Sequence, residues 1–378
     1  MASNPSTHLG ELFKSSRKKG EEGLPLLSVT LNNGLIVRDQ LDRRTETNLE
    51  ASEHLLVQSG DIAYNMMRVW QGALGRASVN GLVSPAYVVL RPTAKIDSLY
   101  AEYLFKTPRM IYLFWAYSYG LTKDRLRLYF NDFSRIPVTI PDLKEQRKIA
   151  QTLSTWDKAI TTTEQLLANS QQQKKALMQQ LLTGKKRLLD KNGVRFSGGW
   201  RFLTFDEAFK VANKKSAQVK SSDYFATGSV PVVDQGKELI AGYCDNDERY
   251  TNVPVIIFGD HTRCLKWVDF EFCPGADGTQ VLDSKKFLDK KFGYYLLCHT
   301  DIPNLGYSRH MRELKEKDFK VPVDMVEQQK IAAVLSSADQ EISALQQKLD
   351  ALKQEKKALM QQLLTGKRRV KIDDKEVA

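Results

Sequence analysis

An internal repeat constrains this chain more than any other feature. Lys174–Lys185 and Lys356–Lys367 have the same twelve residues, KKALMQQLLTGK, at an offset of 182 positions. At the same offset, EQRKIAQTLS from Glu145 matches EQQKIAAVLS from Glu327. Because self-similarity at a fixed offset marks a duplicated structural unit, we expect two copies of one unit, each a globular segment followed by a repeated segment.

Both repeated segments predict long helices. Apolar residues recur three and four positions apart in one shared register, which is typical of a coiled-coil seam. Asp142 and Asp324 suit helix N-caps, and Gly184 and Gly366, each followed by basic residues, suit helix ends. The candidate seam residues are Ile149, Leu153, Trp156, Ile160, Leu167, Leu177 and Leu181 in the first helix, and Ile331, Leu335, Ile342, Leu345, Leu349, Leu352, Leu359 and Leu363 in the second.

Lys174 and Lys356 interrupt the two seams at matching positions. A polar residue at a seam position can fix the register or the partner of a helix pair, at some cost in stability. A lysine at the edge of a bundle can equally extend its ammonium group into solvent. The sequence alone leaves both interpretations open.

The length of the helices predicts how they are arranged. The first, from Glu145 to Leu181, has 37 residues, or roughly 55 Å of helix. A parallel second helix would require the chain to return over that distance, whereas an antiparallel one would not. We therefore expect an α+β fold with two globular domains separated by two long antiparallel coiled-coil helices, related by a pseudo-two-fold axis. The expected boundaries are globular domain 1 at 1–141, helix 1 at 142–185, globular domain 2 at 186–323, helix 2 at 324–370 and a tail at 371–378.

The composition is consistent with a soluble protein that binds a polyanion. The chain has 56 Lys and Arg against 45 Asp and Glu, a net charge of +11 and a pI near 9.3, and a pI above 9 is common among nucleic-acid-binding domains. The longest apolar run, Met110 to Tyr117, is too short to span a membrane and favours a core helix over base stacking. With no apolar N-terminal signal segment, we expect a cytoplasmic protein. Neither the cysteines nor the histidines have metal-ligand spacing, so we expect no metal.

With these features, the chain resembles the specificity subunits of type I restriction–modification systems. The resemblance rests on two copies of a Pro…EQ-x-K-I-A-x-x-L-S helix, Pro137 through Leu153 and Pro322 through Leu335, each ending in L-L-T-G-K. The segment IIFGDHTRCLKWVDFEFCPGADGTQVL also resembles a stretch common in target recognition domains. The resemblance covers essentially the whole chain.

This resemblance implies a DNA-reading subunit without chemistry of its own. Its two target recognition domains would each read one half of a bipartite double-stranded DNA target. The helices, through their seam residues, would set the spacing and dock two adenine-N6 methyltransferase subunits, and restriction subunits would join through that core. Partner subunits would bind the methyl donor and ATP, so we expect no cofactor in this chain and no membrane partner.

Candidate DNA-binding residues lie in two kinds of segment. DNA readers use cations for phosphates, and arginine or amide side chains for base edges. GDHTRCLKW and its expected counterpart GDIAYNMMRVW predict hairpin loops, and GLTKDRLR and GYSRHMR predict helix N-termini that could bind phosphate. The candidates are Tyr64, Asn65, Arg68, Thr122, Lys123, Arg125, Arg127, His261, Arg263, Lys266, Tyr307, Ser308, Arg309, His310 and Arg312.

Motifs for catalysis are missing from the sequence. There is no [ND]-P-P-[FYW] motif of an adenine methyltransferase and no G-x-x-x-x-G-K-[ST] phosphate loop. We therefore expect a non-catalytic recognition subunit rather than a self-contained enzyme. The alternative is a coiled-coil protein-binding scaffold without DNA specificity, whose binding would lack the steep salt dependence of a DNA reader.

Overall fold

The computed structural model of this chain describes residues 6–31, 33–41, 49–122, 125–306 and 308–371. Its architecture is mixed α and β, with two helices far longer than the others. The chain forms two compact units. The first comprises Met1–Thr163 and Lys348–Ala378, and the second comprises Glu164–Gln347. Each unit contains one globular segment and a part of both long helices.

The first unit is built around a four-stranded antiparallel sheet with the order β2-β9-β6-β7, and three two-stranded pairs, β1-β10, β3-β4 and β5-β8, accompany it. Its strands are β1 (Ser6–His8), β2 (Phe13–Ser16), β3 (Leu27–Thr30), β4 (Gly34–Val37), β5 (Leu55–Val57), β6 (Ile62–Asn65), β7 (Leu74–Arg76), β8 (Gly81–Val83), β9 (Tyr87–Pro92) and β10 (Pro137–Thr139). Its helices are α1 (Leu9–Leu12), α2 (Ser98–Phe105), α3 (Pro108–Ala116) and α4 (Phe130–Phe133), followed by the start of the long helix α5 (Leu143–Leu181).

The second unit repeats the four-stranded sheet with the order β12-β18-β15-β16 and adds a three-stranded sheet, β14-β13-β17, and the pair β11-β19. Its strands are β11 (Trp200–Thr204), β12 (Phe209–Val211), β13 (Val230–Val233), β14 (Gly242–Cys244), β15 (Val255–Gly259), β16 (Leu265–Val268), β17 (Cys273–Pro274), β18 (Thr279–Ser284) and β19 (Asp318–Pro322). Its helices are α6 (Phe205–Ala208), α7 (Lys290–His299) and α8 (Met311–Lys315), followed by the start of the long helix α9 (Met325–Leu363).

An aromatic cluster fills the core of the first unit and extends onto the long helices. Ile149 and Leu153 of α5 and Leu363 of α9 are buried in the same core. Full burial of a large apolar side chain contributes about 1.5–3 kcal/mol, so these contacts bind the helix segments firmly to the globular part. The rings at the centre of this core are Phe13, Phe105, Phe114 and Phe133, with centroids 5.4–6.2 Å apart.

The core of the second unit has the same plan with different residues. Leu181 of α5 and Ile331 and Leu335 of α9 are buried against the globular part. Leu181 belongs to the last turn of α5, whereas Ile331 belongs to the first turns of α9. The fully buried phenylalanines of this core are Phe205, Phe209, Phe258, Phe292 and Phe319.

The long helices begin and end with the signals found in the sequence. Glu145 N donates to Asp142 Oδ1 over 2.9 Å, so Asp142 caps α5, which begins at Leu143. Val326 N donates to Asp324 Oδ1 over 2.8 Å at the start of α9. Gly184 and Gly366 have φ angles of +75° and +72°, the left-handed conformation that ends a helix.

None of the helices in the described part of the chain has both the length and the apolar character that crossing a membrane requires.

Candidate nucleic-acid interface

The tip of the second unit is organised around Asp260, in the loop between β15 and β16. Asp260 N donates to Gly278 O over 2.7 Å, which places the GDHTR and GADG stretches side by side. Asp260 Oδ1 accepts from Met311 N over 2.7 Å, and its carbonyl accepts from His310 N over 2.8 Å. A Cβ at Gly278 would lie 2.5 Å from the Gln235 side chain, and φ there is +63°, so the position requires glycine. Three loops are therefore fastened together at one end of the sheet.

His310 is completely buried beneath this tip. Its Nδ1 lies 2.9 Å from Asp260 O, and its Nε2 accepts from Leu305 N over 3.2 Å. This pattern assigns the ring proton to Nδ1. Because both nitrogens are used inside the protein, the prediction that His310 contacts DNA directly is corrected: the residue joins two loops.

The other candidates of the β15–β16 hairpin are also engaged internally. His261 is half-buried, with Nδ1 3.2 Å from Ser308 O. Arg263 has a φ angle of +60°, and its Nη1 donates to Ile302 O over 2.8 Å. Lys266 is buried, its Nζ donates to Asp234 O over 2.7 Å, and burial lowers its pKa despite the neighbouring Asp234 carboxylate. Lys266 is therefore a core residue and not the predicted surface cation.

Among the described candidates of this tip, the exposed cations lie on the segment that precedes and begins α8. Arg309 and Arg312 are exposed, and Arg312 Nε donates to Glu316 Oε1 over 3.3 Å at the surface. Ser308 is half-buried, and Tyr307 lies outside the described residues. Of the candidates in the second unit, these two arginines are the best placed to contact a polyanion.

The tip of the first unit has the same anchoring contact. Leu128 N donates to Met66 O over 3.0 Å, as His310 N does to Asp260 O. Met66 and Leu128 are therefore the structural counterparts of Asp260 and His310. The predicted correspondence of GDIAYN with GDHTR is wrong, because Gly60 precedes β6 whereas Gly259 ends the equivalent strand β15.

The corrected correspondence places Tyr64 within strand β6 rather than in a hairpin loop. The side chain is 1% exposed and lies in the core, where its hydroxyl donates to Leu128 O over 3.2 Å. Burial raises the pKa of Tyr64 well above its ordinary value. The prediction of a DNA contact at Tyr64 is therefore corrected to a structural role.

The remaining candidates of the first unit lie in two neighbouring loops. Asn65 is half-buried, and its Oδ1 accepts from Met67 N over 3.0 Å, whereas Arg68 is exposed. Tyr119 and Arg127 exchange two backbone hydrogen bonds of 3.1 and 2.9 Å, which close a loop. The exposed candidates on that loop are Thr122, Arg125 and Arg127, while Lys123 lies outside the described residues.

The predicted phosphate-binding helix N-termini are not found at these candidates. Helix α4 begins only at Phe130 and α8 only at Met311, and both have at most five residues. The described basic residues before them lie in loops. Any phosphate contacts there would have to come from side chains and loop amides rather than from a helix dipole.

The aromatic segment from Met110 was predicted to be a core helix, and the structure bears this out for one face. Met110 and Phe114 of α3 are buried. Tyr112 and Trp115 are 61% and 47% exposed, with their ring centroids 5.8 Å apart. The opposite face of α3 is therefore an aromatic surface.

None of the fifteen seam candidates is exposed. Those near the helix ends pack against the globular cores: Ile149, Leu153, Leu359 and Leu363 in the first unit, and Leu177, Leu181, Ile331 and Leu335 in the second. The others are buried or half-buried: Trp156, Ile160, Leu349 and Leu352 in the first unit, and Leu167, Ile342 and Leu345 in the second.

Sequence reasoning missed a set of polar contacts that both units share. In the first unit Arg369 pairs with Glu145 through two hydrogen bonds, with Nε 2.7 Å from Oε1. In the second, Arg187 Nε and Nη2 lie 2.5 and 2.6 Å from the Glu327 oxygens. Both carboxylates are buried. Each pair joins the start of one long helix to the segment that follows the other.

A buried glutamine connects each helix start to the globular part. Gln146 Oε1 accepts from Asp97 N, and Gln328 Oε1 accepts from Asp289 N, both over 2.8 Å. Each side-chain amide also donates to two backbone carbonyls nearby, namely Lys95 and Pro141 for Gln146, and Phe287 and Pro322 for Gln328. Asp97 and Asp289 in turn cap α2 and α7.

A third shared contact involves the seam lysines. Lys356 pairs with Asp157 in the first unit, and Lys174 pairs with Asp339 in the second. Polar identity across the repeat was the signal that could have identified these residues, because Glu145, Gln146, Asp157, Lys174 and Arg187 each recur at an offset of 182.

Comparisons with known proteins agree with this organisation. The family model described as "Type I restriction modification DNA specificity domain" matches residues 7–169. The putative type I restriction enzyme MjaX specificity subunit of Methanocaldococcus jannaschii is 26% identical over 306 residues, which cover 75% of this chain and 71% of that protein. The EcoR124I/EcoR124II specificity subunit of Escherichia coli is 34% identical over 103 residues, a quarter of each chain.

Solved structures share the fold over nearly the whole chain. The type I restriction–modification S subunit from M. genitalium superimposes with a TM-score of 0.63 at 15% identity and covers 98% of this chain and 96% of its own. A chain from a study of assembly and conformational transition of the type I system gives 0.53 at 16% identity, with coverage of 96% and 98%. Both sequence relatives are named as specificity subunits of type I restriction enzymes, in agreement with the resemblance found in the sequence. The chain is therefore similar to the DNA specificity subunits of type I restriction–modification systems, over residues 7–169 in the family model and over 75% of its length in the M. jannaschii relative.

Proposed function

We propose that the two globular segments are target recognition domains, 1–141 and 186–323, and that each reads one half of a bipartite double-stranded DNA target. One observation carries this proposal: the two units share the same polar contacts with the long helices but have different side chains at their tips. The first tip exposes Arg68, Arg125 and Arg127, and the second exposes Arg309 and Arg312. Shared attachment with divergent tips suits two readers of two different half-sites.

The long helices would form an antiparallel coiled coil with a pseudo-two-fold relation between the repeats. In the first unit Glu145 pairs with Arg369 and Asp157 with Lys356, so the partner number falls as the number in α5 rises. In the second unit the partners of Ser170, Lys174 and Arg187 fall in the same way, from Glu341 through Asp339 to Glu327. These contacts support opposite helix directions.

We assign to these helices the spacing of the half-sites and the docking of two adenine-N6 methyltransferase subunits. Restriction subunits would join through that methyltransferase core. The partner subunits would bind the methyl donor and ATP. The similarity to type I specificity subunits, and to a chain from a study of the assembly of the type I system, supports the proposal that this chain acts in such a complex.

The test is co-expression with a candidate methyltransferase subunit from the same genome, followed by sequencing that detects N6-methyladenine. A bipartite motif with a fixed gap, present only when this chain is expressed, is the expected result. Methylation that is the same without the chain would contradict the proposal.

A protein-binding scaffold without DNA specificity is the second candidate, and salt titration of binding distinguishes it. A DNA reader should lose affinity with a log–log slope of about −0.9 per phosphate neutralised. A scaffold should bind its protein partner without this steep salt dependence and should show no preference for a DNA sequence.

A further inference from the structure

Among the described residues, each unit has a cluster of lysine, aspartate and tyrosine, none of which is a candidate DNA contact. In the first unit Lys356 Nζ pairs with Asp157 Oδ1. The Tyr103 hydroxyl donates to the other oxygen, Asp157 Oδ2, over 2.5 Å. Lys356 Nζ also lies 5.3 Å from the centre of the Tyr103 ring. The cluster therefore joins α9, α5 and α2.

The second unit has the same cluster with exchanged helices. Lys174 Nζ of α5 lies 2.5 Å from Asp339 Oδ1 of α9, and the Tyr295 hydroxyl of α7 donates to Asp339 Oδ2 over 2.8 Å. Lys174 Nζ lies 5.6 Å from the Tyr295 ring centre. Lys174 and Lys356 correspond at an offset of 182, and so do Asp157 and Asp339. The lysine side chains are 23% and 19% exposed and their aspartate partners 39% and 44%, so these pairs are partly shielded from solvent.

The clusters resolve the ambiguity of the lysines that interrupt the seams. Neither lysine simply extends into solvent, because each ends on a carboxylate of the other helix. A slip of one heptad in either direction would place Leu349 or Leu363 where Lys356 now meets Asp157. The same slip would place Leu167 or Leu181 where Lys174 now meets Asp339. Every such register leaves both carboxylates facing leucine, which is unfavourable for a partly buried charge.

Each cluster also attaches a recognition domain to the helix pair, since its tyrosine comes from the helix that follows the central sheet. The register of the helices and the seating of the domain thus depend on the same carboxylate. We define the two register clamps as Tyr103–Asp157–Lys356 and Tyr295–Asp339–Lys174. We propose that the register clamps are positioning residues for DNA recognition. They hold the register of the helices and the position of each recognition domain on them, and so restrict the complex to one gap length between half-sites. This inference rests on the proposed function.

The experiment uses the full chain in complex with its methyltransferase, once the wild-type motif has been determined. The test variant is Lys174→Met with Lys356→Met, which keeps side-chain length and removes both cations. The matched control is Lys175→Met with Lys357→Met, which changes the exposed neighbouring residues of the same repeats. Methylation is measured on duplexes that carry the same half-sites with the native gap or a gap one base pair shorter or longer.

The test variant should lose about tenfold in the preference for the native gap, as expected for coupled polar contacts worth roughly 1.4 kcal/mol. The half-site bases should not change, and the control should keep the wild-type preference. Lys174→Arg with Lys356→Arg should restore gap preference, because it returns a cation to each clamp. Tyr103→Phe with Tyr295→Phe should give a smaller loss of gap preference. This phenylalanine variant tests the proposal if the methionine variant does not fold.

Unchanged gap preference in a folded methionine variant would overturn the proposal. A uniform loss of methylation at all three gaps would also overturn it, because a merely structural role predicts that result. If the proposed function itself were wrong, the wild-type complex would give no bipartite motif, so the two failures are distinguishable.

Discussion

The two units differ most at their tips and least where they meet the long helices. Along the long helices and just beyond their ends, the same five polar residues recur with equivalent partners, in spite of the divergent globular sequences. At the tips, a buried histidine and a buried aspartate in the second unit stand where the first has Leu128 and Met66. The difference suggests that attachment to the helices is held fixed while the reading surface varies.

Even the shared contacts are not equally enclosed. Glu145 and Glu327 are both buried, but the Arg187 side chain is 18% exposed whereas Arg369 is 50% exposed. Arg187 is also covered by the ring of Trp200, with its guanidinium carbon 5.6 Å from the ring centre. The second unit therefore depends more on its arginine, because water reaches Arg369 more easily.

The largest expected effect is the loss of Arg187. Arg187→Met leaves the Glu327 carboxylate buried without its cation, which typically costs about 3–5 kcal/mol. Arg369→Met should cost less, about 1–3 kcal/mol, because that arginine is half exposed. Urea unfolding measures both losses, and hydrogen exchange assigns each to its unit. Equal losses would show that the difference in enclosure has no energetic consequence.

A substitution at His310 tests whether the two tips are interchangeable. His310→Leu gives the second unit the residue that the first has at Leu128, but it leaves the Asp260 carbonyl and the Leu305 amide without the imidazole. Loss of the two imidazole hydrogen bonds, at about 0.5–1.5 kcal/mol each, should destabilise the second unit, and selectivity for the half-site read by 186–323 should fall. Leu128→Met, which conserves volume, should cost less than about 1.5 kcal/mol. If His310→Leu were as mild as the control, the buried imidazole would be dispensable.

The sequence allowed prediction of the elements that depend on local and periodic signals. Helices α5 and α9 were predicted from the heptad pattern, with Asp142 and Gly184 at the ends of the first, because caps and apolar spacing act within a few residues. Strands β9 and β15 are rich in the β-branched and aromatic residues that favour strands.

The site was less predictable, because burial and pairing are long-range properties. Lys266 and His310 look like surface DNA contacts in the sequence, yet their partners Asp234 and Asp260 lie 32 and 50 residues away. The correspondence of the two hairpins failed because a Gly-Asp pair occurs at opposite ends of equivalent strands. Only the backbone contact between Leu128 and Met66 reveals the correct alignment.

That alignment provides a matched pair of exposed arginines, one in each tip. Arg127 precedes Leu128 as Arg309 precedes His310. Arg309→Ala should weaken discrimination only at the half-site read by 186–323, and Arg127→Ala only at the other, by about 1–3 kcal/mol if the side chain contacts a base edge. Binding to duplexes with either half-site scrambled measures this. Equal weakening on all sequences would instead indicate a phosphate contact, and an effect at the wrong half-site would contradict modular reading.

The smallest change in the free energy of unfolding is expected when Lys266 is replaced. The first unit has Gly75 at the equivalent position of its own strand. Burial lowers the pKa of Lys266, so in the folded protein its charge carries a desolvation cost that Asp234 only partly offsets. Lys266→Met should therefore stay within about 1 kcal/mol of the wild-type free energy of unfolding near neutral pH. Between the lowered folded pKa and the ordinary value of about 10.4, the unfolded chain binds more protons, so wild-type stability should rise with pH relative to the variant. Urea unfolding between pH 7 and about pH 10 tests this linkage. A wild-type advantage that shrinks as the pH rises would mean that the ion pair with Asp234 outweighs burial.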